Sequence, residues 1–243
     1  MTDKDFGNKL HETSGQFRHA GDKAVLVDSE IEKQQGKVRL VYRYQFPPLA
    51  STGNIVYEIG NEGQVAVTYN ASMAEDLPEM PRFGLQMHMP EGFDEVRWYG
   101  RGPWENYQDR NFAADLGIYE AAVSELYTPY IRPQENGNRS DVRWLEIRNN
   151  KGEGLKIAGA PHFDFTAHHN TVEDFDYPKA GPNRHTSDIQ PRPLTEINID
   201  TRQRGVGGDN SWGAKPYDDY RLLPEKTQAY SLKLLLSPIA TKH

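Results

Sequence analysis

The sequence predicts an all-β fold, an antiparallel sandwich with long loops. Apolar side chains alternate with a period of two along much of the chain, and clusters of Gly, Pro and Asn break this pattern at short intervals. Helical periodicity is weak wherever it occurs. The 243 residues include 21 Gly, 16 Pro and 13 Tyr, a composition suited to many short strands and tight turns. The length fits one such domain, residues 1–243.

The opening residues, MTDKDFGNKLHETSG, read as loop and have no apolar stretch of the kind an export signal carries. Strand-like runs follow near 23–29, at 37–46 with Val38, Leu40, Tyr42 and Tyr44 on one face, and near 54–59. Next come 64–71, with Val65, Val67 and Tyr69, then 82–89, with Phe83, Leu85, Met87 and Met89, then 94–99. Residues 113–126 could form a short helix. Further strands are expected near 143–149, 155–160, 162–167 and 194–200, and at 228–236, where Tyr230, Leu232, Leu234 and Leu236 alternate. Turns are expected at Gly60 to Gly63 and Asn149 to Gly152, the second joining two strands as a hairpin, and along the Pro-rich stretch from Pro178 to Pro193. Two loops are long, 101–142 and 168–193, and loops of that length in a compact domain are more often functional than idle.

The net charge of −7 argues against general nucleic-acid binding, which needs a basic footprint. With no Cys there can be no disulfide, thiolate chemistry or Cys-based zinc site. No apolar run approaches the roughly 18 residues of a membrane-spanning helix.

Three segments mix Gly or Pro with aromatic and hydrogen-bonding side chains: GRGPWENYQDR (100–110), LYTPYIRPQENGNRSDVRW (126–144) and GVGGDNSWG (205–213). Sugar sites use that mixture, because a pyranose offers a C–H face for a ring to pack on and a rim of hydroxyls for polar groups to bond. Trp212 stands out. It lies among four glycines with Asp209, Asn210 and Ser211 beside it, so it either faces a ligand or caps the end of the sandwich. Glu105, Asn106, Asp109 and Arg110, like Arg132, Glu135, Asn136 and Arg139, suit a structural network bracing long loops. Glu105 and Glu135 could also be read as a glycosidase pair, although sequence gives no distance between them. His168, His169 and His185 lie near Glu173, Asp174 and Asp176, but match no metal-ligand spacing and read as solvated loop residues.

Taken in order, these three segments resemble the C-terminal domain of the large bacterial β-galactosidases of glycoside hydrolase family 2, a region that also exists as a separate small subunit. The resemblance runs from about Thr2 to the last strand. It implies a supersandwich similar to the galactose mutarotases, and hydrolysis of terminal β-galactosides such as lactose by a retaining pair of glutamates on a separate barrel domain. No residue of this chain is then catalytic. Trp212 matches the family's substrate-stacking Trp, with Asp209 and Asn210 beside it at the sugar. Gly7, in TDKDFGN, matches a hinge glycine of a mobile rim loop, with Lys4 where the family has Asn. The resemblance also places family strands ahead of this segment, so the chain is expected to lack the domain's first strands and to expose sheet edges. Magnesium and sodium, where used, would be held by other domains, and this chain would hold no metal. The expected partners are a galactoside and the remaining domains or large subunit of an oligomeric bacterial enzyme, cytoplasmic or periplasmic, with neither nucleic acid nor membrane involved.

Two other readings remain. A stand-alone mutarotase-like epimerase would need a His acid, such as His162, His168 or His185, across a sugar from Glu105 or Glu135. An autonomous carbohydrate-binding module would use Trp98, Trp104 or Trp212 as its platform.

Overall fold

The computed structural model describes residues 1–176, 184–210 and 212–240. Two short helices open the chain, α1 (Asp3–Gly7) and α2 (Leu10–Thr13), where a loop was expected. The signal is a capping box. The Thr2 hydroxyl accepts the Asp5 N–H at 3.2 Å, and the Asp5 carboxylate accepts the Thr2 N–H at 2.9 Å.

Then come β1 (Val25–Gln34), β2 (Lys37–Phe46), β3 (Ser51–Gly60), β4 (Val65–Ser72), β5 (Arg82–Pro90) and β6 (Phe93–Gly102). They are followed by β7 (Asp115–Ala122), α3 (Val123–Leu126), β8 (Arg139–Asn149), β9 (Gly154–His168), β10 (Leu194–Gln203) and β11 (Ala229–Ile239). The expected strands are present, with those near 155–160 and 162–167 joined as β9. The expected helix at 113–126 is mostly β7. Only its last four residues are helical, and they bury Val123 and Leu126. Pairing to β6 along Glu95 to Gly102 gives the β7 backbone its partners, and so a weak local pattern is overridden.

All pairings are antiparallel. The main path runs β1-β2-β3-β4-β11-β9-β8-β6-β7, and β5 and β10 branch from it. β9 makes the branch. Residues 154–159 pair with β11, whereas 164–168 pair with β10. The β5–β10 layer closes over β4, β11, β8 and β6. Between the layers lie Phe83, Ile197 and Ile199 from one side, and Val67, Val96, Trp98, Leu145, Ile147 and Leu232 from the other. The 149–152 hairpin forms as expected, with Gly152 in the left-handed region at φ 78° and its N–H bonded to the Asn149 carbonyl at 2.9 Å.

β1 lies at one end of the strand order among the described residues. It leaves Val25, Leu26, Val27 and Ile31 exposed. Among the described residues no helix is long and apolar enough to cross a membrane.

Candidate functional site

The three sequence segments meet at one end of the sandwich. The central one is the 100–110 loop. Its Glu105 accepts from Arg110, from the Tyr130 hydroxyl and from the Gly137 N–H at 2.7 Å. Asn106 exchanges hydrogen bonds with the backbone at 138–140: its Oδ1 accepts from the Ser140 N–H at 3.0 Å, and its carbonyl accepts from Asn138 at 2.7 Å. Arg139 is buried against the Trp98 ring and donates to the carbonyls of Pro103, Leu126 and Gly137. Burial pushes its guanidinium down to about 10. Glu105, Asn106 and Arg139 therefore brace the loops.

The same loop holds the Trp212 segment. The Asp109 carboxylate accepts the Val206 N–H at 3.2 Å and the Gly207 N–H at 2.6 Å. Only glycine suits this approach. A Cβ on Gly205 would lie 2.5 Å from Asp109 Oδ2, and Gly208 adopts φ 147°. Asn210 Oδ1 accepts from the N–H groups of Trp212, Gly213 and Ala214 at 2.9, 3.2 and 3.3 Å, which folds the tip into a tight turn. Asp209 accepts from the Tyr217 hydroxyl at 2.6 Å. The Trp212 indole stands free of this frame, 92% exposed. Ser211 lies outside the described residues.

The N-terminal helix is docked on this end. Lys4 Nζ donates to the Gly207 carbonyl. Asp3 pairs with Arg132 at 3.2 Å and its N–H reaches the Gln134 side chain at 3.0 Å. Asp5 meets Arg204 at 2.5 Å in a buried pair, and Arg204 also holds Glu79 at 2.7 Å. Gly7 closes α1 with nothing within 4 Å of where a Cβ would stand, and its φ is not left-handed; that conformation falls instead on Lys9, at φ 58°. Asp109 braces a loop as its segment suggested, whereas Lys4 and Arg204 had no sequence signal for these roles, because their partners lie from 125 to 203 positions away.

A family model described as the β-galactosidase small chain matches residues 1–236. The chain belongs to the β-galactosidase small-chain family. The β-galactosidase of Priestia megaterium is 33% identical over 240 residues, covering 97% of this chain but 22% of that protein. That of Streptococcus thermophilus is 30% identical, covering 98% and 23%, and that of Lactobacillus delbrueckii subsp. bulgaricus is 33% identical, covering 100% and 23%. This small-chain segment thus spans under a quarter of the length of those relatives. Among solved structures, a galactose 1-epimerase of Lactobacillus acidophilus has a TM-score of 0.42 at 10% identity, covering 87% of this chain and 65% of that one. An α-galactosidase of Geobacillus stearothermophilus has a TM-score of 0.48 at 7% identity, covering 90% and 28%. At those scores neither adds to the family assignment, and the all-β architecture rests on the strands of the small chain itself.

Some further titratable groups of the small chain are built into its interior. His168 is not the solvated loop residue expected. It ends β9, buried beneath Phe175 and Tyr127, with Nε2 at 3.2 Å from the Asn136 carbonyl. Burial lowers its imidazole to about 4. Burial pushes the Glu135 carboxyl up, but the charge of Arg82 and a hydrogen bond from Gln203 outweigh this and hold it below its usual value. His168 and Glu135 line a shared cavity of about 30 Å3, the space of a single water and too little for a pyranose. His169 pairs with Asp94 at 2.9 Å, and the His162 ring lies 3.8 Å from Asp141. Trp98 is buried in the core, so it is no platform, whereas Trp104 is 71% exposed. Among the described residues no three His, Asp or Glu are grouped so as to hold a metal ion.

Proposed function

We propose that this chain supplies one wall of the galactoside site of a β-galactosidase, with the Trp212 indole packing on the sugar and the bond-cleaving carboxylates supplied by another part of the enzyme. A fully exposed indole on a loop pinned by Asp109, Asn210 and Lys4 carries this reading. A rigid frame lowers the ordering cost of presenting a ring to a weakly binding sugar, and the ring's apolar face suits the C–H side of a pyranose. Asn210 spends its carbonyl on the turn, which leaves its amide N–H groups for a hydroxyl. Asp209 keeps one carboxylate oxygen for the same use. Gly7, at the end of the helix that touches this loop, would let the rim move as substrate enters.

The test is kinetic. With the chain joined to the remainder of the enzyme, Trp212→Ala should raise KM for a nitrophenyl galactoside about tenfold, the worth of roughly 1.4 kcal/mol of stacking and burial. An unchanged KM would contradict the assignment of Trp212.

A further inference from the structure

Away from the Trp212 loop, the outer face of β2, β3 and β4 forms a groove of about 440 Å3. Its floor is two adjacent rungs of the sheet. Arg43, Asn54 and Asn70 stand side by side on one, and Gln45, Thr52 and Ser72 on the next. Neighbours along a rung are about 4.8 Å apart by strand spacing. One lip is apolar, where Val27 stands 51% exposed at the bulge in β1.

The groove holds unspent hydrogen-bonding capacity. The side chains of Gln45, Thr52, Asn54, Asn70 and Ser72 bond to no other group among the described residues. The Arg43 charge, by contrast, is taken up by Asp28 and by Glu30 at 3.0 Å. Asn is among the poorest strand formers, yet Asn54 and Asn70 face each other across β3 and β4 with no hydrogen bond between their side chains.

These features select a ligand class. An anion would need a free cation, and an apolar ligand would strip water from five polar groups for no return. An extended peptide finds its backbone partners at a sheet edge rather than on a face. A neutral chain of hydroxyls with C–H faces matches both the two rows of amides and hydroxyls and the apolar lip. We propose that this groove is an accessory carbohydrate-binding site for neutral oligosaccharides. It shares no residue with the Trp212 loop, so it stands or falls independently of the reading given to that loop.

The experiment is a titration of the nitrogen-15-labelled chain with lactose and with a galactan trisaccharide, followed by amide shifts. The expected result is saturable millimolar shifts at 43–45, 52–54 and 70–72 that persist in Trp212→Ala. Replacing Asn54 and Asn70 together by Ala should weaken binding about tenfold, the worth of one or two hydrogen bonds. Ser72→Arg should abolish binding by filling the groove, and an unchanged spectrum elsewhere shows that each variant folds. Shifts confined to 205–213, no shifts at all, or broadening at the groove with protein concentration alone, which marks self-association, would each overturn the proposal.

Discussion

Arg204 is 5% exposed and lies between the Asp5 and Glu79 carboxylates, tying α1 to the strand that leads into the Trp212 loop. Arg204→Ala would leave the Asp5 carboxylate buried without a cation and Glu79 with Arg221 alone at 3.0 Å, a loss of about 3–5 kcal/mol measurable by urea unfolding. Asp164 presents the opposite problem. Burial first, then the neighbouring Asp200 and Asp141 carboxylates, push its carboxyl up to about 8, against a bond from the Asp141 N–H and the charge of Arg82. A raised carboxyl stabilises the fold fully below its unfolded value near 4. That contribution falls as pH rises from about 4 to about 8 and is flat above. Asp164→Asn keeps the acceptor for the Asp141 N–H at 3.2 Å and cannot ionise. It should therefore be more stable than the parent at pH 8, by on the order of a few kcal/mol, and the gap should close toward pH 4 in thermal melts. Residue by residue, the sequence discloses exposure better than partnership. Trp212 among glycines reads as exposed because no apolar neighbours surround it. His168 reads as solvated because Tyr127 comes from a distant segment and Phe175 reaches it only by the loop folding back. Nothing local reveals that Asp164 faces Asp200 across two strands.

At the level of elements, strands with clear alternation were legible because one side of each meets the core, as at Val65 to Tyr69 or Tyr230 to Leu234. β7 was not. As an edge strand it leaves Leu116 and Ile118 exposed, and its pairing to β6 supplies what its own pattern lacks. The candidate loops were legible as braced loops, but not which residues join which, since their braces link distant segments. Asp109→Ala should release the Val206 and Gly207 amides, giving much faster hydrogen exchange there for a local cost of about 1.5–3 kcal/mol. Gly7→Ala should leave the melting temperature nearly unchanged, because a Cβ there meets open space. If the rim hinge operates, the same change should alter kcat and KM together in the assembled enzyme.

For the whole molecule, the proposed function is a division of labour, in which this chain would present a wall and an aromatic ring and the reacting carboxylates would come from outside it; the β-galactosidases it matches are more than four times as long. Within this chain Glu105 is engaged by three donors and Glu135 sits at a cavity of about 30 Å3, which supports the proposal. The direct measurement is nitrophenyl galactoside hydrolysis by the purified chain, alone and rejoined to the remaining part of the enzyme. The account predicts no rate above buffer for the chain alone and hydrolysis on rejoining. Turnover by the isolated chain that survives Trp212→Ala would contradict it.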